Sequence, residues 1–143
     1  HLAESFLRVA LRAKGLERCI LVTDAVMPAG CSPGLYKLGE VDVELHHDGS
    51  VRLAGGTRLA GSALRMDHAI GNVMKFAGLS LREAITLASR NPARVGRVAS
   101  RQRGLTPGDR ADIVKFRFDE DSKNIQILET YVGGELVFKA SES

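Results

Sequence analysis

Asp24 stands directly after the apolar run Cys19-Ile20-Leu21-Val22-Thr23, where a buried strand would end and a loop begin. A carboxylate in that position can move protons beside a substrate held by converging loops. It can equally satisfy the backbone amides of its own turn, and spacing alone leaves both readings open. The other chemically capable side chains are scattered. His46 and His47 are adjacent on a predicted strand, so their side chains point to opposite faces and cannot readily close on one ion. Both read as solvated hairpin residues, and His68 reads as a surface residue on the polar side of a helix. Arg90, Arg94, Arg97, Arg101 and Arg103 form a basic stretch without interleaved aromatic residues, which predicts a solvated face more than a phosphate or nucleic-acid site.

The elements that must position Asp24 follow from periodicity. Leu2, Phe6, Val9, Ala10 and Ala13 recur at helical spacing, and Gly15 is placed to end that helix in a left-handed turn. A short loop then leads into Cys19–Val22, expected to be a strand buried on both faces, as in a parallel sheet. Pro28, Gly30, Pro33 and Gly34 mark a loop. Val41, Val43 and Leu45 alternate with acidic residues, and His47-Asp48-Gly49-Ser50 supplies turn chemistry before Val51-Arg52-Leu53, predicting a hairpin. A second loop is expected from Gly55 to Ser62.

Met66, Ala69, Ile70, Val73, Met74 and Ala77 form a helical stripe closed by Gly78. Ser80 and Glu83 have capping-box spacing at the head of another helix. Asn91-Pro92 reads as an N-cap and first-turn proline of a short helix that Gly96 stops. Beyond Gly104, the segments Ile113–Phe116, Ile125–Val132 and Leu136–Phe138 predict a small antiparallel sheet.

With 143 residues, of which 44% are apolar, the chain has the length and core material of one ordinary domain. A charged fraction of 26% and a net charge of +3 describe a mildly basic surface, too weak a field to imply nucleic acid as a partner. The apolar runs fall well short of the roughly 18 residues a membrane span needs, and no secretory signal opens the chain. Cys19 and Cys31 have neither zinc-ligand spacing nor disulfide-scaffold density, so a cytoplasmic address is expected. The first residue is His1 and the chain starts inside a predicted helix, which reads as a fragment boundary.

Helix, buried strand, loop, helices and then a separate small sheet is the order expected at the end of a (β/α)8 barrel with an appended β domain. The residues sharpen this. Thr23-Asp24-Ala25 with Ala29-Gly30, then Gly34, Tyr36, Leu38 and Gly39, then Leu59-Ala60-Gly61-Ser62-Ala63-Leu64 with Met66-Asp67, resemble the N-acetylglucosamine-6-phosphate deacetylases. Asn91-Pro92-Ala93-Arg94 with Gly96, and Gly104-Leu105 with Pro107-Gly108 and Ala111-Asp112, are similar to segments found across the amidohydrolase superfamily. The Leu-Ala-Gly-Ser loop is the more specific sign. Arg58, Arg65 and Gly71 depart from the family pattern: an apparent insertion, an Arg in place of a usual Thr, and a Gly where a charged residue is common.

The resemblance implies an α/β fold, with residues 1–100 forming the C-terminal portion of a TIM-type barrel and residues 101–143 the C-terminal strands of a small β-sandwich domain. It implies hydrolysis of the N-acetyl amide of N-acetylglucosamine 6-phosphate to acetate and glucosamine 6-phosphate. The nucleophile would be a metal-bound water and Asp24 the general base and acid. The metal, zinc or similar, would have its Glu and His ligands outside this chain, leaving the isolated chain inactive. Leu59, Ala60 and Gly61 match the loop lining the sugar pocket; the plainer alternative is a glycine turn with Ser62 capping the next helix. His1, 23 residues before Asp24, is similar to a family histidine that contacts substrate, unless it is the remnant of an affinity tag. A homodimer is implied, with an amino sugar phosphate as substrate and neither nucleic acid nor membrane as partner. The alternatives are a dihydroorotase-like or imidazolonepropionase-like amidohydrolase, or a non-catalytic binding module. Lacking barrel neighbours, the chain is expected to expose Phe6, Val9, Ile70, Val73 and Met74 and to self-associate.

Overall fold

The computed structural model describes residues 3–101 and 103–141. The chain divides into two compact units, one of residues 22–69 and one of the flanking segments 1–21 and 70–143.

In the central unit, β1 (Gly34–Leu38), β2 (Val41–Leu45), β3 (Ser50–Leu53) and β4 (Leu59–Ser62) form an antiparallel meander in that order. The predicted β2–β3 hairpin pairs Val43 with Leu53 and Leu45 with Val51. Val43, Leu45 and Val51 are buried, with Val26, Tyr36, Leu38, Ala60 and Ala63 packed against them. The hydrophobic face of the alternating pattern is therefore the core face, as period-two burial requires. β4 lies in a stretch expected to be loop, and β1 begins where the other predicted loop ends, in a stretch to which the sequence assigned no element.

In the other unit, α1 (Glu4–Lys14) ends at Gly15, whose N–H donates to Leu11 O at 3.0 Å. Gly15 has φ 80° but ψ 140°, so it leaves the helix in an extended path instead of the expected left-handed turn. α2 (Met66–Ala77) contributes Val73 and Met74 to a core shared with Leu11, Ala84 and Leu87. That burial corrects the expectation that Val73 and Met74 face water: α1 and the later helices cover them. Ile70 packs partly buried against the same cluster, whereas Phe6 and Val9 remain 58% and 64% exposed.

α3 (Leu81–Ile85) carries the predicted capping box, with Glu83 N–H donating to Ser80 Oγ and Ser80 N–H to Glu83 Oε2. A π-helical turn over Thr86–Arg90 joins it to α4 (Asn91–Val95). The helix therefore runs through Asn91 in helical geometry, and Asn91 is not its N-cap. The buried Asn91 side chain instead donates from Nδ2 to Leu16 O at 2.8 Å and Cys19 O at 2.7 Å. Gly96 follows α4 with φ −75°, again without a left-handed stop.

Cys19 has extended backbone, but Cys19–Val22 forms no strand among the described residues. Cys19 and Leu21 pack on the helical core, and Leu21 N–H donates to Leu87 O at 2.9 Å. Ile20 and Val22 are 40% and 68% exposed, so burial on one face replaces the expected burial on two. The predicted terminal sheet is present: β5 (Ile113–Asp119), β6 (Asn124–Val132) and β7 (Glu135–Lys139) pair antiparallel in that order.

Candidate active site around Asp24

Asp24 is exposed and has φ 53°. That left-handed conformation is uncommon for a residue with a side chain, although Asp and Asn tolerate it best because their short polar groups bond locally. The residues on either side hold the turn. Ala25 N–H donates to Thr23 Oγ1 at 3.3 Å, spanning Asp24. Ala25 makes a parallel bridge with Ser62, and Val26 N–H donates to Ser62 O at 2.9 Å. The chain leaving Asp24 is thus docked along the end of β4.

β4 is itself irregular. Ser50 pairs with Ser62 and Arg52 with Leu59, so β4 carries one more residue than β3 between the two pairs, a bulge at Ala60–Gly61. Leu59 is 47% exposed, Ala60 packs on the sheet core, and Gly61 takes φ 117°. A Cβ built on Gly61 would lie 2.6 Å from Val26 Cγ1, a separation that a non-bonded Cβ essentially never shows. Sequence and fold therefore bring together two segments, Thr23–Val26 and Leu59–Ser62, that are far apart along the chain.

Ser62 does not cap the following helix. Its Oγ accepts Leu64 N–H at 2.9 Å, two residues before α2 begins. Arg65 pairs with Asp67 at 2.7 Å, and the Asp67 side chain is only 8% exposed. His1 lies outside the described residues.

Among the described residues, no group of three or more His, Cys, Asp or Glu side chains is arranged to hold a metal ion. The described residues by themselves supply no ligand set for a resident metal. His47 and His68 are exposed, as expected. His46 is not the freely solvated residue the sequence suggested: its Nε2 is covered, 3.6 Å from Glu44 Oε2 and without a hydrogen-bond partner. Arg90, Arg94, Arg97, Arg101 and Arg103 are all exposed, as a solvated face requires, and three of them also bond to neighbours. Arg94 donates to Glu17 O, and Arg101 and Arg103 pair with Asp112 and Asp109. No helix among the described residues is long and apolar enough to cross a membrane.

Val26 is the residue that sequence reasoning missed. Its only signal was a β-branched apolar side chain at the head of a Pro- and Gly-rich loop, two positions after the aspartate.

No family model matches the chain. It is 37% identical over 120 residues to an Escherichia coli K12 protein provisionally named N-acetylgalactosamine-6-phosphate deacetylase, covering 84% of this chain and 68% of that one. It is 36% identical over 146 residues to the N-acetylglucosamine-6-phosphate deacetylase of Rattus norvegicus, covering all of this chain and 33% of that enzyme. The crystal structure of N-acetylglucosamine-6-phosphate deacetylase from Thermotoga maritima matches with a TM-score of 0.80 and 34% identity over 98% of this chain and 36% of that one. An alanine variant of the Mycobacterium smegmatis enzyme, in complex with N-acetyl-D-glucosamine-6-phosphate, matches with a TM-score of 0.81 and 32% identity over 96% of this chain and 35% of that one. The chain thus spans about a third of the length of most of these relatives. With this identity, coverage and shared fold, the chain belongs to the N-acetylglucosamine- and N-acetylgalactosamine-6-phosphate deacetylase family.

Proposed function

We propose that this chain is the C-terminal share of an enzyme that hydrolyses the N-acetyl group of N-acetylglucosamine 6-phosphate, with Asp24 as its general base and acid. The observation that carries the reading is the docking of Ala25 and Val26 on Ser62. It joins the aspartate turn to the Leu-Ala-Gly-Ser segment, the two stretches most characteristic of the family. The family membership also disfavours a dihydroorotase-like enzyme and a bare binding module.

Amide hydrolysis adds water to the acyl carbon and breaks the C–N bond, and the amine leaves readily only when protonated. One carboxylate can take the proton from the attacking water and deliver it to the departing nitrogen. Asp24 is exposed at the tip of a braced turn and free for both transfers. Backbone groups of Leu59, Ala60 and Gly61, in and beside the bulge, would face the sugar, with His1 as a further substrate contact. Residues 1–100 are assigned to the barrel and 101–143 to the small β domain. A divalent metal, zinc or similar, would take its ligands from outside this chain, and the whole enzyme is placed as a cytoplasmic homodimer.

The sugar epimer has a second reading. Two Escherichia coli relatives, each 37% identical over 120 residues, are named for N-acetylgalactosamine 6-phosphate. Acetate release by the full-length enzyme from each epimer decides between them: a clear preference in kcat/KM for the gluco sugar supports the first reading, the reverse the second.

Asp24→Asn tests the catalytic assignment, because Asn tolerates φ 53° and removes the base while leaving the turn. Turnover should fall by roughly 10² to 10⁴ with KM little changed. A variant within a few-fold of the parent in kcat would remove Asp24 from this role.

A further inference from the structure

We infer that Val26 and Gly61 are positioning residues for Asp24, and that Gly61 lacks a side chain to make room for Val26. The inference rests on the catalytic reading of Asp24 and extends it. A glycine in a pocket-lining segment is ordinarily explained by close approach of a ligand. Here the space a Cβ would take is already filled from within the chain: Val26 Cγ1, Cγ2 and Cβ lie 2.6, 3.0 and 3.3 Å from its ideal position.

The consequence runs to Asp24 through short steps. Val26 packs against the buried Val43, Leu45 and Val51, which fixes its side chain from below. Its N–H donates to Ser62 O at 2.9 Å, and its neighbour Ala25 bridges Ser62, so the backbone beyond Asp24 is pinned at two consecutive residues. Ala25 N–H closes back on Thr23 Oγ1. Asp24 is the residue enclosed by these restraints, held at φ 53°. A residue in that region persists only where its surroundings over-determine it. Pushing Val26 off Gly61 would release the turn and move the carboxylate, and a displacement of about 1 Å at a reacting group can cost roughly 10² in rate.

The test is a mutant cycle in the full-length enzyme, with kcat and KM measured for Gly61→Ala, Val26→Ala and the double variant, each confirmed folded by circular dichroism. Gly61→Ala should lower kcat by roughly 10²-fold with KM within about threefold. Adding Val26→Ala removes both γ-methyls and should recover at least about fivefold of that loss, an interaction that independent sites do not show. Recovery stays partial because alanine at φ 117° is strained even with space around it. If Gly61→Ala fails to fold, Val26→Ala alone decides: kcat should drop about threefold or more at constant KM, since loosening the lock adds no clash. A loss confined to KM, a double variant no better than Gly61→Ala, or an unchanged Val26→Ala would overturn the inference. Failure of the underlying reading shows separately, as undiminished turnover in Asp24→Asn.

Discussion

A Cβ built on Gly71, in the middle of α2, would lie 2.6 Å from the backbone carbonyl oxygen of Lys123. Gly71, read from the sequence as a departure from the family pattern, thus stands where a side chain would meet backbone. Lys123 closes the β5–β6 hairpin with φ 55°, and its carbonyl rests on the bare helix backbone where a side chain would stand. Gly71→Ala sets two effects against each other. Alanine favours an exposed helix interior by about 1 kcal/mol over glycine, but here the added methyl must displace backbone, which costs about 1–3 kcal/mol. The second effect should win or at least cancel the first. Urea unfolding that shows the variant stabilised by a full kcal/mol would mean the hairpin does not rest on α2.

Asn91 offers a test of how the Asn-Pro-Ala-Arg segment works. Both amide hydrogens are used, on the carbonyls of Leu16 and Cys19, in a residue 4% exposed. Asn91→Ala strands those acceptors and should cost about 1–3 kcal/mol. Asn91→Asp should be worse at pH 7, since an ionised carboxylate meets two carbonyl oxygens and donates nothing. Its folded pKa would then lie above the unfolded value, so the favourable protonated form is present at low pH and lost as pH rises. Denaturant midpoints at pH 7 and pH 4 should therefore show the gap between the Asp and Ala variants narrowing in acid.

The same residue shows what local sequence could and could not convey. Asn followed by Pro has the local chemistry of a helix start, and only the tertiary position of Leu16 and Cys19 turns that amide into a clamp inside a continuing helix. The capping box of Ser80 and Glu83 was legible because its partners are three residues apart. β1 was not, because Leu35 points outward at 71% exposure and hides the alternation of Tyr36 and Leu38. β4 was missed because Leu-Ala-Gly-Ser has little strand propensity of its own and pairs through a bulge. At the candidate site, Asp24 was visible as a carboxylate ending an apolar run. The Gly61–Val26 contact joins residues 35 positions apart, and nothing in either segment announces it.

Asp112 should make the fold acid-sensitive. Its carboxylate accepts from Arg110 Nε at 2.8 Å, Gly133 N–H at 2.8 Å and Arg101 Nε at 2.5 Å. Chiefly through the Arg110 bond, these hold its pKa at about 2, below the ordinary 3.8. A depressed folded pKa contributes stability that is fully present above the unfolded value and is lost as pH falls through the folded one. The contact between the Ala111-Asp112 segment and the β6–β7 turn should therefore weaken between about pH 4 and pH 2. Thermal unfolding across that range should show a falling Tm, and Asp112→Asn should start lower at pH 7 and fall less steeply. An unchanged pH slope in the variant would locate the acid sensitivity in other lowered carboxylates, such as Glu83 with its Ser80 bonds.

The last expectation concerns β7. Among the described residues it pairs with β6 on one side only, and all five of its residues are exposed. Leu136, Val137 and Phe138 are 50%, 59% and 49% exposed, placing apolar side chains on both faces of an edge strand. Edge strands are ordinarily protected by a charge or a proline in mid-strand, whereas here Glu135 and Lys139 stand only at the ends. Such an edge offers unpaired backbone and apolar side chains together, so it should recruit a second strand when this chain is studied alone. Light scattering behind a sizing column, across a dilution series, should show a mass that rises with concentration. Val137→Lys puts a charge in the centre of the edge and should shift that rise to higher concentration, leaving the β5–β6 pairing intact because β7 lies outside it. A chain that stays monomeric at every concentration and binds no hydrophobic dye would show that this strand is not adhesive. Association that Val137→Lys leaves unchanged would point instead to other apolar side chains of this unit that are open to solvent, Phe6 and Val9 on α1 or Val95 and Leu105.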